Sequence, residues 1–135
     1  MNKTFIVSLI IGVSFTCLMI LVGIIIDESI SREPTYTTSY KNINVSQAKQ
    51  LMSESKLTII DCRPGCGSCQ FNKGHIPGAQ LSTKPNAFVN WTDDILAYCN
   101  DGSYGEKFCE QLVNHTYGKI YNLEGGWNAW RLWDG

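Results

Sequence analysis

The sequence predicts an α/β domain whose parallel sheet is flanked by helices and preceded by one transmembrane helix. Short apolar runs rich in β-branched residues end at Asp61 and Cys99, as buried strands do. Between these runs lie segments with helical periodicity, and strands that alternate with helices form parallel sheets covered on both faces. A long uncharged stretch at the N-terminus predicts the membrane helix.

This uncharged stretch covers residues 5–26 and contains 22 residues. At about 1.5 Å per residue it makes roughly 33 Å of helix, enough to cross about 30 Å of hydrocarbon. Lys3 precedes the stretch, and Asp27 and Glu28 follow it, which favours a cytoplasmic N-terminus and a domain on the extracytoplasmic side. The alternative is a cleaved signal peptide, whose apolar core is shorter, at about 7–15 residues. We therefore expect a single-pass membrane protein.

The rest of the chain divides into a tether and one domain. Residues 27–42 are polar, rich in Ser and Thr, and include Pro34, a composition typical of a linker. Residues 43–135 are enough for a single core. The formal net charge of -1 gives no broad basic surface, so we expect no nucleic-acid partner.

Each element of the domain has its own local signal. Asn44 or Ser46 can cap a first helix that ends near Glu54. The later elements, in order, are strands at 57–60, about 79–81 and 95–98, a helix at 105–114, a strand at 119–123, and a last helix from Gly125-Gly126 that carries Trp127, Trp130 and Trp133. Ligands of parallel sheets bind beyond the carboxyl ends of the strands, where Asp61 and Cys99 are expected.

The segment after Cys99 has the composition of an anion-binding loop. It contains Asn100, Asp101, Gly102, Ser103, Tyr104 and Gly105, and leads directly into a helix. Glycines let successive amides point inward, and the helix dipole adds positive potential. Both effects favour a thiolate at Cys99 and make it a better nucleophile. The alternative is a buried cysteine that ends a core strand beside an ordinary turn.

Several motifs occur in the order seen in one known family. They are Asp61-Cys62-Arg63, the segment GHIPGA at 74–79, Tyr98-Cys99, and YNLEGG at 121–126 with Ala129-Trp130. From about Ile43 to Trp130 the chain resembles a rhodanese-family sulfurtransferase domain.

The resemblance implies a reaction. Cys99 would attack a sulfane-sulfur donor such as thiosulfate or polysulfide, become a persulfide, and pass the outer sulfur to a thiol or cyanide. The loop amides from Asn100 to Gly105 would hold the donor and stabilise the persulfide. Asp61, Arg63 and His75 lie at motif positions, where they would fix loops and shape the pocket rim.

Two loop positions depart from the family pattern. Active members usually carry arginine directly after the cysteine and again near the end of the loop, where this chain has Asn100 and Tyr104. The loop instead contains Asp101, whose carboxylate opposes both a thiolate and thiosulfate. We therefore expect a neutral or polysulfide donor to react better than thiosulfate.

A second group of cysteines precedes the GHIPGA segment. Cys62, Cys66 and Cys69 lie close together, and Cys66 and Cys69 form a C-x-x-C pair. The pair suits a structural disulfide or a working dithiol. We expect no metal or other cofactor, because structural zinc sites usually show two separated ligand pairs. The alternative functions are thus a thiol–disulfide redox protein that uses Cys66 and Cys69, and a non-catalytic binding module.

Overall fold

The computed structural model describes residues 33–65 and 67–135. The predicted membrane span, residues 27–32 of the predicted tether and Cys66 lie outside the described residues. Within those two ranges, no helix is both long and apolar enough to cross a membrane. From Thr35 to Gly135 the chain forms one compact unit.

Five parallel strands form one sheet, which confirms the predicted α/β class. The strands lie in the order β1-β5-β4-β2-β3, so that β4 is central. Their bounds are β1 Tyr40–Ile43, β2 Leu57–Asp61, β3 Gln80–Leu81, β4 Asp94–Tyr98 and β5 Ile120–Leu123. In the pairing of β2 with β4, Asp61 lies opposite Tyr98. The carboxyl ends of these two strands therefore meet at one edge of the sheet.

Helices cover the sheet on both faces. Their bounds are α1 Val45–Glu54, α2 Gly67–Lys73, a short 3₁₀ helix Pro85–Phe88, α3 Ser103–Leu112 and α4 Gly126–Leu132. Of the two predicted caps of the first helix, Asn44 is the one used. Its side chain accepts from the Gln47 amide at 3.0 Å, and the Gln47 side chain accepts from the Asn44 amide at 3.0 Å.

Alternate residues of β4 supply two separate cores. Ile95, Ala97 and the following Cys99 pack with Phe108 and other residues in what we call the α3-side core. Leu96 and Tyr98 pack in the α1-side core, which also contains residues of α1 and receives Trp127 and Trp130 of α4. Cys99 and Tyr98 thus belong to opposite faces of the sheet, as the twofold period of a strand requires.

Three elements differ from the sequence-based expectations. Strand β1 lies largely in the segment predicted as a tether, and its polar Lys41 and Asn42 are exposed because β1 is an edge strand. The folded part therefore begins before Ile43. Helix α2 forms where no helix was predicted. Helix α3 begins at Ser103, so the second half of the predicted loop is its first turn.

Candidate active site at Cys99

Cys99 follows the last residue of β4, at the carboxyl edge of the sheet. It is a free cysteine. Its Sγ accepts a hydrogen bond from the Gly102 amide at 3.2 Å and donates to Asp101 Oδ1 at 3.4 Å. An amide at the start of α3 is therefore directed at the sulfur, where it stabilises negative charge.

Gly102 gives the loop its shape. It caps α3 with a φ of +96°, in the left-handed region that favours glycine. A Cβ at this position would lie 3.1 Å from both Gly125 N and Leu123 O. The glycine therefore lets the loop approach the turn between β5 and α4 closely.

The first amides of α4 hold the loop from the other side. The Trp127 amide donates to the Cys99 carbonyl at 2.7 Å, and the Asn128 amide donates to the Asn100 carbonyl at 2.9 Å. Gly126 lies against the Cys99 carbonyl, because a Cβ added at Gly126 would overlap Cys99 O. These contacts fix the backbone on which the thiol is carried.

Asp101 accepts hydrogen bonds from loop groups that could otherwise bind an anion. Its Oδ1 accepts from the Ser103 hydroxyl at 2.7 Å and from the Ser103 amide at 3.1 Å. The Ser103 hydroxyl, the Ser103 amide and the Cys99 thiol, in that order, hold the pKa of Asp101 below its ordinary value. An ionised carboxylate therefore takes an amide that could otherwise bind an anionic donor.

The surroundings of the loop are also acidic. A cavity of about 240 Å³ beside it is lined in part by Asp101, Glu106 and Glu124. Among its lining residues in the described part of the chain, none is basic. The potential at this side of the site disfavours anions.

Asp61 and Arg63 form a buried ion pair next to the active-site strand. The Arg63 Nε lies 2.9 Å from Asp61 Oδ1, and an Arg63 terminal nitrogen donates to Gly74 O at 2.8 Å. Tyr98 Oη donates to Asp61 Oδ2 at 2.9 Å and accepts from the Ile76 amide at 3.2 Å. The network ties the segment at 74–76 to the ends of β2 and β4.

His75 has contacts of a different kind. Its ring stacks on Phe71 at 3.8 Å, and Nδ1 lies 2.9 Å from Phe71 O. None of these contacts involves the loop after Cys99. Tyr104, in the first turn of α3, packs against the α3-side core.

The other cysteines fall into two groups. Cys62 and Cys109 are free and buried in the α3-side core, and their Sγ atoms donate to Tyr98 O and Tyr121 O. Cys69 is exposed on α2 and is disulfide-bonded. In the described part of the chain, no cluster of three or more His, Cys, Asp or Glu residues could hold a metal ion.

Sequence reasoning missed two parts of the site. Tyr98 was noted only as part of a motif, because a tyrosine at the end of an apolar strand gives no sign of the hydrogen bonds that its hydroxyl makes to Asp61 and Ile76. The amides of Trp127 and Asn128 gave no signal, although the Gly125-Gly126 pair marked the start of their helix. Both act through contacts between residues distant in the sequence.

The thiol of Cys99 is buried. Cys99 is 1% exposed, as in the alternative of a buried cysteine that ends a core strand. The reason is that its side chain lies on the α3 side of the sheet while the loop turns back over it and is held there by α4.

Comparison with known proteins gives a consistent result. The thiosulfate sulfurtransferase GlpE of Shewanella oneidensis is 29% identical over 98 residues, which cover 69% of this chain and 94% of that protein. Thiosulfate sulfurtransferase 18 of Arabidopsis thaliana is 29% identical over 108 residues, with coverage of 66% and 76%. The crystal structure of a rhodanese-like domain protein from Staphylococcus aureus has a TM-score of 0.56 at 29% identity, with coverage of 67% and 90%. A model of the rhodanese-like domain matches residues 44–132, and the chain therefore belongs to this family.

Proposed function

We propose that the protein is a sulfurtransferase that carries sulfane sulfur as a persulfide on Cys99 and delivers it to a thiol acceptor. The hydrogen bond of 3.2 Å from the Gly102 amide to Cys99 Sγ carries this proposal. This bond directs an amide at the start of α3 at the sulfur, where the amide can stabilise negative charge that develops on sulfur during the transfer. The relatives named as thiosulfate sulfurtransferases support the reaction class.

The donor is expected to carry little negative charge. Asp101 lies 3.4 Å from the sulfur, and Glu106 and Glu124 line the adjacent cavity. Thiosulfate is a dianion and would be repelled by these carboxylates. A neutral organic trisulfide or a polysulfide chain, whose charge is remote from the reacting sulfur, would be repelled less.

The membrane anchor is part of the proposal. The uncharged stretch at 5–26 would hold the domain at the extracytoplasmic face of a membrane. Fractionation of cells that express the full chain, followed by protease treatment of intact cells, tests this. We expect the protein in an alkali-resistant membrane fraction and its domain degraded from outside.

Intact mass measurement tests the sulfur chemistry. The full chain is incubated with polysulfide or with thiosulfate, freed of donor, and weighed. We expect the added mass of one sulfur atom, formed faster from polysulfide, in the unmodified chain and in Cys109→Ser. Cys109 is the matched control because it is another buried, free cysteine of the α3-side core. Uptake that persists in Cys99→Ser would disprove the assignment.

A second candidate function is thiol–disulfide exchange at the C-x-x-C pair. The exposure of Cys69 and its participation in a disulfide favour this alternative. Here the fold would serve as a scaffold. Redox changes confined to peptides that contain Cys66 and Cys69, with no sulfur on Cys99, would support it. No modification at either place would indicate a non-catalytic binding module.

A further inference from the structure

Cys62 lies beside Cys99 at the carboxyl edge of the sheet. Asp61 of β2 is opposite Tyr98 of β4, so the next residues in register are Cys62 and Cys99. The Cys62 amide donates to Tyr98 O at 2.9 Å, which continues the strand pairing to this position. Both side chains pack in the α3-side core, on the same face of the sheet.

This register suits a disulfide bond between the two residues. Neighbouring strands lie about 4.8 Å apart. Disulfide-linked residues have Cα atoms about 4.4–6.8 Å apart. The strand spacing falls within this range and both cysteines are free, so the backbone positions permit a bond between them.

The two thiols are not equivalent. Cys99 receives the Gly102 amide, whereas the Cys62 thiol donates to Tyr98 O at 3.2 Å. Burial, and then the adjacent Cys99, raise the pKa of Cys62. Cys62 therefore keeps its proton in the resting protein, and Cys99, which receives the Gly102 amide, is the cysteine placed to attack the donor.

We propose that Cys62 resolves the Cys99 persulfide by forming a cross-strand disulfide and releasing hydrogen sulfide. This step rests on the proposed function, because it needs the persulfide as its substrate. It gives the protein a second fate for bound sulfur when no external acceptor arrives. The disulfide then stops further sulfur loading until a dithiol reduces it.

The step balances without another reactant. Cys62 sulfur attacks Cys99 Sγ, a bond forms between the two cysteine sulfurs, and the bond from Cys99 Sγ to the outer sulfur breaks. The outer sulfur leaves with the electron pair of the broken bond and is reduced to sulfide. It takes the Cys62 thiol proton in addition to its own and departs as hydrogen sulfide.

Sulfide release from the loaded protein tests the proposal. The full chain is loaded with polysulfide without oxygen, separated from the donor, and left without an acceptor thiol. We expect one sulfide for each persulfide lost, together with a peptide in which Cys62 is linked to Cys99. In Cys62→Ser the persulfide should persist, with release slowed roughly tenfold or more because an intramolecular attack is lost.

Control variants separate this step from other routes. Cys109→Ser alters another free thiol of the same core and should release sulfide like the unmodified chain. Cys62→Ala repeats the test if the serine variant does not fold. Sulfide release and the linked peptide can also be measured in the unmodified chain alone, without any substitution.

The outcomes distinguish this inference from the proposed function. A persulfide that stays on Cys99 of the unmodified chain, with no sulfide and no linked peptide, would overturn the inference and leave the sulfurtransferase proposal intact. A linked peptide that joins Cys99 to Cys109 instead would also overturn it. Failure of both the unmodified chain and Cys62→Ser to take up sulfur would overturn the two proposals together.

Discussion

Asp101 is the residue that most changes the chemistry expected of this loop. Its carboxylate lies 3.4 Å from Cys99 Sγ and accepts both the hydroxyl and the amide of Ser103. It therefore repels an anion from the thiol and also takes a hydrogen-bond donor that such an anion would need. Asn100 and Tyr104, at positions where the family usually has arginine, supply no compensating charge.

The variant Asp101→Asn should react faster with thiosulfate. It keeps an oxygen that can accept from Ser103 but removes the charge. Loss of a unit charge beside the reacting sulfur weakens the repulsion of the thiosulfate dianion, so persulfide formation should rise roughly fivefold. The rate with a neutral organic trisulfide should rise less, because only the repulsion between the carboxylate and the thiolate is removed, and not a repulsion of the donor. To measure both rates, the reactions are stopped at set times and the intact mass of the protein is determined.

Glu110→Gln is the matched control for this variant. It removes the same charge from α3, two turns beyond the loop. It should leave the thiosulfate rate unchanged. An equal gain in both variants would mean that net charge, and not the position of Asp101, governs the donor.

At the scale of elements, the loop is held between two helix N-termini. The start of α3 is directed at the sulfur of Cys99, and the start of α4 binds the carbonyls of Cys99 and Asn100. This arrangement requires Gly126 to lie against the Cys99 carbonyl with a φ of +52°. The packing of α4 on the sheet thus determines where the thiol is held.

Gly126→Ala should destabilise the protein and disturb Cys99. The left-handed conformation costs a non-glycine residue about 1–2 kcal/mol, and overlap with the Cys99 carbonyl adds to this. Gly78→Ala is the matched control, because Gly78 has a φ of +80° with nothing within 4 Å of an added Cβ. Urea unfolding and the alkylation rate of Cys99 measure both effects. Equal losses of stability, with unchanged alkylation, would contradict the role given to α4.

At the scale of the whole domain, one buried ion pair joins separate parts of the chain. Asp61 ends β2, Arg63 reaches the Gly74 carbonyl, and Tyr98 of β4 donates to Asp61. Both side chains of the pair are almost fully buried. Loss of one partner leaves the other as a buried charge without compensation.

Asp61→Asn should lower the free energy of unfolding by about 3–5 kcal/mol, because Arg63 would remain buried without its carboxylate. Asp93→Asn provides the comparison. Asp93 pairs with Lys56 at 2.9 Å, but the lysine is largely exposed, so its loss should cost no more than about 1 kcal/mol. Urea unfolding of both variants tests the difference. Similar small losses would show that the buried pair is dispensable.

Buried thiols should make the domain sensitive to alkali. Burial, followed by Glu106, raises the pKa of Cys109 from its ordinary value of 9.0 to about 12. Above pH 9 the unfolded chain loses this proton while the folded chain keeps it. The contribution of Cys109 to the free energy of unfolding is therefore fully present below about pH 9. It falls as the pH rises towards about 12, by up to about 1.4 kcal/mol per pH unit.

Denaturant unfolding at about pH 8 and about pH 11 tests this in the unmodified chain and in Cys109→Ala. The variant should be less stable than the unmodified chain at the lower pH, because it loses part of a buried side chain. Its free energy of unfolding should, however, fall less between the two pH values. Cys62 and Tyr98, whose pKa values burial also raises, should keep part of the slope in both proteins. Identical slopes would contradict the assignment to Cys109.

Local patterns determined the parallel sheet, the first helix with Asn44 or Ser46 as its cap, and the position of Cys99 at a strand end. Each depends on side-chain periodicity or on residues within one turn, and these are readable along the chain. The motifs from Asp61 to Trp130 indicated the family for the same reason.

Only the tertiary structure decided how these pieces meet. The register of β2 against β4 brought Cys62 beside Cys99 and Asp61 opposite Tyr98, and no local pattern encodes a strand register. Pairing with β5 made a strand of residues 40–43 although Lys41 and Asn42 are polar, and the docking of α4 holds the loop after Cys99. The strand register, the pairing of β1 with β5 and the docking of α4 depend on contacts between residues distant in the sequence. These contacts stabilise the protein only once the chain has folded, so local patterns do not reveal them.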